Sequence, residues 1–287
     1  MIRESELEKL NEELREEDIE PRARPWEAIK RISARTSLSM DVSSAEADFI
    51  FKWFETNTKP GSHTIGLLHQ GVYYYDSSFW KVSIPISYGV VQLNALDALQ
   101  KMPQKIKSSL SESKKTLWQY VIFWADCVDF AYAYSDLCRS ENYNTFGCQL
   151  LCAGYEELSS ATTLLLEQRP NKRAIMNCRM ATEMLLKCFI AFKDNLTRSQ
   201  AKKLGHNLER TFDRFLEISN YQHLSEIKIL LRVFPDIHER YKAQEVNNAS
   251  LFDGYCFAQS IGALIARAFT ARNTLPQVMS SNKANQP

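Results

Sequence analysis

The chain contains 287 residues, of which 45% are hydrophobic and 24% are charged, with 35 Lys and Arg against 34 Asp and Glu. This length suits two domains or one domain with a substantial extension. The formal net charge of +1 excludes a protein whose partner follows from bulk charge, such as a strongly basic DNA coat protein. Only 9 Gly and 9 Pro argue against collagen-like, low-complexity and most all-β classes, so the composition favours helix.

The first region, residues 1–44, is predicted to be a charged helix followed by a linker. The segment Ser5–Glu20 is rich in Glu, Lys and Arg, and its apolar residues recur at near-helical spacing. Pro21 and Pro25 are expected to end this helix, and the serines between residues 33 and 44 are typical of a linker. The apolar stripe consists of Leu7, Leu10, Leu14 and Ile19.

The cysteines and the polar start of the chain bear on compartment and on metals. Residues 1–20 lack the apolar segment of a signal peptide, so free thiols in a reducing cytoplasm are expected. Cys148 and Cys152 form a C-x3-C pair, but no further His or Cys completes a zinc-binding spacing, so we expect no zinc and no other cofactor. No apolar run is long enough to predict a membrane helix. The seven cysteines are Cys127, Cys138, Cys148, Cys152, Cys178, Cys188 and Cys256.

Residues 45–145 are predicted to form an α+β region whose role the sequence does not identify. A short apolar helix is expected over Ala45–Glu55. Within Gly61–Leu93, apolar and polar residues alternate on either side of the turn residues Asp76-Ser-Ser, which predicts a β-hairpin. The run Tyr88–Leu93 is a candidate third strand, and Pro85 either favours an edge position for its own strand or ends the pairing of that strand.

Aromatic residues cluster in this hairpin. Such rings can stack on nucleic-acid bases or cover a protein core, and we favour the core because aromatic residues of sheets usually do so. The cluster consists of Tyr73, Tyr74, Tyr75, Phe79 and Trp80.

The rest of the chain is predicted to be helical up to residue 272, and the polar tail 273–287 is expected to be disordered. Three- and four-residue steps between apolar residues carry this prediction. The predicted helices are 94–101, one beginning near 104, 116–139, 146–168, 172–194, 204–219, 221–233 and 250–272.

Residues 146–272 contain two short motifs, the helix Arg179–Lys187 and the helix start Gly205–Leu208. They resemble the pattern A-x-x-x-E-x-x-L-K and the H-[ND]-L helix start of the "higher eukaryote and prokaryote nucleotide-binding" (HEPN) family of helical domains. The match to the first pattern departs in spacing, since Glu follows Ala by two residues and not four. The matching residues are Ala181, Glu183, Leu186 and Lys187, and Gly205, His206, Asn207 and Leu208.

These residues also have local interpretations that need no family. Glu183 and Lys187 form an i,i+4 pair, which contributes about 0.3–0.5 kcal/mol to a helix. Gly205 and Asn207 suit a turn and a helix cap. For His206 we favour a capping hydrogen bond over direct catalysis.

The resemblance implies one of two functions for the loop after the fourth bundle helix. HEPN ribonucleases place an Arg and a following His at a dimer groove, and Arg232 with His238 stands at that position. There the cation would stabilise the charge on the phosphorane, and the imidazole would act as general acid or base without a metal. The hydrophobic Val233 and the helix-breaking Pro235 depart from the ribonuclease pattern.

The other branch of the family binds nucleotides or partners nucleotidyltransferases. His238-Glu-Arg240-Tyr241 resembles its R-Y element, and Arg240 and Tyr241 would then belong to a docking surface. We favour this binding or scaffold role, in a prokaryotic toxin–antitoxin or antiviral defence system, over the ribonuclease.

Basic residues near the motifs are candidate RNA or phosphate ligands, although a solvated helix face is the ordinary interpretation of such clusters. The fold expected overall is mainly α (α+β): a HEPN-like antiparallel bundle after an N-terminal extension that holds a small antiparallel sheet. The resemblance implies RNA or a nucleotide, a second copy of the chain, and an antitoxin or nucleotidyltransferase as partners. The basic candidates are Arg169, Lys172, Arg173 and Arg179, with Lys202, Lys203, Arg210 and Arg214 flanking Gly205–Leu208. His206, Arg240 and Tyr241 are the further candidates for RNA or phosphate binding.

Overall fold

The computed structural model describes residues 2–21, 23–36, 44–58, 67–86, 93–138, 140–219 and 221–284. The chain forms two compact units, Met1–Leu67 and Leu68–Pro287. It is mainly helical with one small two-stranded antiparallel sheet, which confirms the predicted fold class. The units divide near residue 67, whereas the sequence suggested boundaries at 44 and 145, because the sheet and the helices up to 138 pack with the later helices.

In the residues of the first unit that the structure describes, there are three helices: α1 (Glu4–Glu16), α2 (Arg24–Thr36) and α3 (Ala45–Asn57). They share one apolar core, in which Leu7 and Leu14 of α1 meet Phe54 of α3. Helix α2 covers a stretch for which no element was predicted. Its Pro25 lies in the first turn, where no backbone N–H donor is needed.

The second unit begins with the hairpin β1 (Leu67–Tyr75) and β2 (Ser78–Pro85). Asp76 and Ser77, at the turn, both have positive φ (50° and 58°), as the tight hairpin turn requires. The predicted hairpin is therefore confirmed, whereas the candidate third strand falls mostly on residues 87–92, outside the described residues. Tyr73 is buried against Tyr120 and Phe123, in agreement with the core interpretation of the aromatic cluster.

A short 3₁₀ helix (Ala95–Ala98), where an α-helix over 94–101 was predicted, and α4 (Gln104–Glu112) connect the hairpin to the long helices. These are α5 (Lys114–Cys138), α6 (Thr145–Leu165), α7 (Ala174–Asp194) and α10 (Asn248–Phe269). Helix α6 packs along α7, and α10 packs on both α5 and α7, so that α7 is buried over most of its length. The shorter α9 (Leu208–Ile218) lies against α7.

The segments between α7 and α10 also differ from the prediction. The expected polar loop 195–203 contains α8 (Arg198–Leu204), and Gly205, with φ of 64°, separates it from α9 where one helix over 204–219 was predicted. The segment after α9 forms two 3₁₀ helices, Gln222–Val233 and Ile237–Tyr241.

The expected disordered tail instead contains α11 (Leu275–Ala284). The backbone N and Oγ1 of Thr274 donate to Asp129 Oδ1 at 2.8 and 2.5 Å, and Leu275 packs against the core, which fixes the start of this helix.

Candidate functional site

A buried ion cluster lies on one face of α7. Arg179, Glu183 and Lys187 are four residues apart, so their side chains project from the same side of the helix. Glu183 Oε1 accepts a hydrogen bond from Lys187 Nζ at 2.7 Å, and Glu183 Oε2 accepts one from Arg179 Nη1 at 3.3 Å. All three residues are less than a tenth exposed. The cluster is therefore a buried network, which the interpretation of Glu183 and Lys187 as a helix-surface pair missed.

The two cations of this cluster also hold the turn before α9. Lys187 Nζ donates to the carbonyl oxygen of Gly205, and Arg179 Nη2 donates to that of His206, both at 2.6 Å. Each buried cation thus has a carboxylate and a carbonyl acceptor, as buried charges require. The backbone of the Gly-His-Asn turn is fixed by side chains from α7.

The imidazole of His206 completes the cluster. Its Nδ1 lies 3.0 Å from Glu183 Oε1, and the ring is just over half exposed (56%). The expected capping role of His206 is wrong, because Asn207 is the residue whose side chain accepts from a backbone N–H, that of Arg210, at the start of α9. Because an ionised carboxylate only accepts, Nδ1 is the donor in this contact, and Nε2 lies on the other side of the ring.

A cavity of about 570 Å³ opens beside this cluster. Arg179 and His206 line one side of it, and the segment from Leu231 to His238 lines the other. Arg179, His206, Arg232 and His238, four of the residues expected from the sequence, therefore meet around a single cavity. Leu231 and Phe234, which are nearly buried, and Pro235 form its apolar wall.

Arg232 and His238 lie on either side of a bend between the two 3₁₀ helices. Pro235 in the sequence predicts that these residues do not share a helix face, and they do lie on separate helices. The bend nevertheless places both at the same cavity. Both side chains are exposed, and within the described part of the chain neither the guanidinium nor the imidazole has a hydrogen-bond or ion-pair partner.

Acidic side chains also line this cavity. Asp236 accepts from the backbone N–H of His238 at 2.8 Å and so fixes the start of the second 3₁₀ helix, whereas Glu209 is exposed on the first turn of α9. Arg179 shares the Glu183 carboxylate with Lys187. Among the cations that line the cavity in the described structure, Arg232 is therefore the guanidinium without a hydrogen-bond or ion-pair partner, and the two carboxylates of the lining make the cavity better suited to one anionic group than to several.

A second cavity, of about 460 Å³, shares the wall Arg232–Pro235. Its other side is formed by residues 242–247 and Ser250, at the start of α10. Lys242, its second cation, pairs with Glu239 at 3.2 Å, so Arg232 provides the positive charge at the junction of the two cavities.

The other predicted basic residues lie outside both cavities. Arg169, Lys172 and Arg173 are exposed in the connection between α6 and α7. Arg240 and Tyr241, the R-Y element, also line neither of these cavities. Tyr241 is exposed, and the Arg240 guanidinium lies over its ring, 4.8 Å from the ring centre.

The basic residues around α8 and α9 are partly used in local contacts. Lys203, Arg210 and Arg214 line a third cavity of about 220 Å³, in which Arg214 forms ion pairs with Asp194 and Glu217. Lys202 is exposed and does not line that cavity.

A second buried polar network joins α5 to α10. Arg267 Nη2 donates to Asp126 and Arg267 Nε to Asp129, both at 2.7 Å. Burial raises the pKa of Asp126 to about 6. This network is remote in sequence from the motifs and lines neither of the two large cavities.

His69 extends the network to the sheet. Its Nε2 lies 3.3 Å from Gln259 Oε1 and its Nδ1 3.2 Å from the Tyr155 hydroxyl. The ring is buried, and burial lowers its pKa to about 4, so the imidazole is neutral at pH 7.

Among the described residues, no group of three or more His, Cys, Asp or Glu is arranged to hold a metal ion, and no helix is long and apolar enough to cross a membrane. Comparison of the chain with family models, with curated proteins and with solved structures finds no match.

Proposed function

We propose that the cavity bounded by His206, Arg232 and His238 binds a phosphate of RNA or of a nucleotide. One observation carries this proposal: Arg232 and His238 are exposed, and their side chains have no hydrogen-bond or ion-pair partner in the described structure. Both line the same cavity as the Gly-His-Asn turn that Arg179 and Lys187 hold in place. A guanidinium donates in a fork that matches two phosphate oxygens, and it remains charged at every physiological pH.

The resemblance of residues 179–187 and 205–208 to HEPN domains supports the same assignment. In this proposal the protein is a HEPN-like nucleotide- or RNA-associated component of a prokaryotic toxin–antitoxin or antiviral defence system. It acts in the cytoplasm as a binding or scaffold protein, as a homodimer and with a cognate antitoxin or nucleotidyltransferase as partner. Sedimentation of the purified chain tests the dimer, and a monomer at all accessible concentrations would contradict that part.

Binding of a short fluorescent single-stranded RNA, followed by anisotropy at several salt concentrations, tests the phosphate site. Replacing Arg232 by Ala removes a charge-assisted hydrogen bond worth about 1.5–3 kcal/mol, so the affinity should fall roughly ten- to a hundredfold. The slope of log affinity against log salt should also decrease by about one phosphate contact.

The matched control is Lys105→Ala, which removes an exposed positive charge on α4, away from both cavities. It should leave the affinity unchanged. Equal losses in the two variants would mean that the RNA is held by general charge, and an Arg232→Ala protein that binds like wild type would refute the site.

A second candidate function is metal-independent RNA cleavage, and the arrangement of Arg232 and His238 across Pro235 at one cavity favours it. Arg232 would stabilise the pentacoordinate phosphorane, while His238 transfers a proton to or from the 2′-hydroxyl or the leaving oxygen. The products would be a 2′,3′-cyclic phosphate and a 5′-hydroxyl.

Cleavage is tested by incubating RNA with the protein in EDTA. His238→Ala should retain RNA binding and lose about 10²–10⁴-fold in rate, the usual contribution of a general acid or base. His223→Ala is the control, because His223 is also exposed and lines neither of these cavities. Identical cleavage by wild type and His238→Ala would exclude this mechanism, and binding without cleavage by wild type would leave the binding role alone.

A further inference from the structure

Two thiols face each other between α5 and α6. Cys138 is the last residue of α5, and Cys152 lies two turns into α6, on the other arm of this helical hairpin. Their Sγ atoms are 3.4 Å apart, although both cysteines are reduced. A disulfide requires about 2.05 Å between the sulfurs, so a small movement of two side chains would bring them within bonding distance.

The surroundings distinguish this pair from the other cysteines. Cys138 is exposed, so a small oxidant reaches it from solvent. The nearby Cys148 points elsewhere, with its Sγ 4.0 Å from the Leu137 carbonyl oxygen. Tyr155, one turn after Cys152, stacks on Tyr134 of α5 at 4.0 Å between ring centres, which holds the two helices in register beside the thiols. The fully enclosed thiols are Cys127, Cys178 and Cys188.

We infer that Cys138 and Cys152 are a modification site that a hydroperoxide converts to an intrachain disulfide. The Cys138 sulfur attacks the peroxide oxygen, the O–O bond breaks, and the thiol proton leaves with the alcohol or water that forms. The Cys152 sulfur then displaces water from the resulting sulfenic acid. In total, two thiols lose two protons and two electrons, and the hydroperoxide is reduced to alcohol and water.

The reaction should be slow at neutral pH. Burial, with a smaller contribution from Cys152, raises the pKa of the Cys138 thiol to about 12, and the thiolate is the reactive form. The rate should therefore increase about tenfold for each pH unit between 7 and 9. The pair is thus a site of slow oxidation under sustained peroxide, which ties the end of α5 to α6.

Peptide mapping of the folded full-length chain tests the inference. Reduced protein is treated with hydrogen peroxide, the remaining thiols are alkylated, and the digest is analysed for a Cys138–Cys152 linked pair. The linked pair should form within single chains, and hydrogen exchange of residues 140–144 should slow in the oxidised protein.

Cys148→Ser should retain the linkage, whereas Cys138→Ser and Cys152→Ser should abolish it. A linkage through Cys148, a disulfide between two chains, or over-oxidation of Cys138 without a disulfide would each overturn the inference. Because the linked peptides are read in the wild-type protein, the test holds even if a serine variant folds poorly. It is also independent of the proposed RNA or nucleotide binding.

Discussion

Replacement of Glu183 by Gln should loosen the contact between α7 and α9. The substitution keeps the size of the side chain and removes the one carboxylate that accepts from Arg179 and Lys187. Both cations remain buried and keep the carbonyl oxygens of Gly205 and His206, but the new amide has one uncharged acceptor oxygen where two carboxylate oxygens accepted, and its NH2 group is a donor. A buried cation without a counter-charge is strongly destabilising.

Removing one partner of a buried ion pair usually costs about 3–5 kcal/mol, and Glu183 serves two cations. A free energy of about 1.4 kcal/mol corresponds to a factor of ten. The locally unfolded form, in which α9 has separated from α7, should therefore become roughly two to four orders of magnitude more populated. Because the chain forms two compact units, a global unfolding free energy does not show which part of the chain opens. Peptide-resolved hydrogen exchange is therefore the appropriate measurement.

The expected result is faster exchange in α7 and α9, with α1–α3 unchanged. Asp48→Asn is the matched control, because Asp48 and Lys52 form an i,i+4 pair of the same 2.7 Å length that is largely exposed. This control should have no measurable effect. Protection in Glu183→Gln within about 1 kcal/mol of wild type would refute the view that the cluster is buried and mutually dependent.

Acid sensitivity, the last helix and the packing of α10 give three more predictions. Because burial lowers the pKa of His69 from 6.5 to about 4, the unfolded state binds more protons at this residue between these values, and the contribution of His69 to stability should fall by up to about 3 kcal/mol as pH drops through them. Asp126, whose pKa burial raises to about 6, contributes the opposite slope in the same range. In pH-dependent urea unfolding, His69→Gln should remove only the His69 contribution, so stability should fall less, or rise more, than in wild type as pH drops; an unchanged slope would contradict the assignment. Asp129→Asn should weaken the hydrogen bonds that residue 129 accepts from Arg267 and Thr274, and should destabilise α11 by about 1–3 kcal/mol, seen as faster hydrogen exchange in that helix. Equal protection in the variant and wild type would show that other contacts hold α11. In Gly262→Ala the new Cβ would lie 2.7 Å from Phe130 Cδ1. The overpacking cost of about 1–3 kcal/mol should exceed the helix-propensity gain of about 1 kcal/mol, so the thermal midpoint should fall. A raised midpoint would show that Phe130 adapts freely.

Periodicity and turn chemistry predict most of this fold because they are local properties. The steps of three and four residues locate α5, α6, α7 and α10 to within a few residues, and the Asp76-Ser77 turn locates the hairpin. The errors occur where a local signal is ambiguous. Pro25 ends one helix or begins another equally well, and here it lies in the first turn of α2.

The site required distances that no local pattern contains. Arg179 was expected to be an exposed phosphate ligand, yet it is buried and its guanidinium is bound to Glu183 and to the carbonyl oxygen of His206. One signal in the sequence could have shown this: Arg179, Glu183 and Lys187 repeat every four residues along a helix whose other residues are largely apolar. A helix that is apolar on its other faces is buried, so charged residues along it need partners on the element that covers them.

The meeting of Arg232 and His238 at one cavity depends on the bend at Pro235. A helix breaker in sequence argued for their separation, because it removes a shared helix face. In three dimensions the same bend turns the second 3₁₀ helix back along the cavity wall. Spacing along the chain therefore could not decide between the two outcomes.

The two α7 cations that hold the turn before α9 bind only backbone atoms of that turn, which matters for the choice of variants. Arg179 and Lys187 bind the carbonyl oxygens of His206 and Gly205, which every amino acid possesses. Exchanging the imidazole of His206 for another side chain leaves both of these bonds in place. A His206 variant thus keeps the two bonds that hold the loop backbone and removes the ring together with its Nδ1 contact to Glu183, so any function that it loses belongs to the imidazole and that contact.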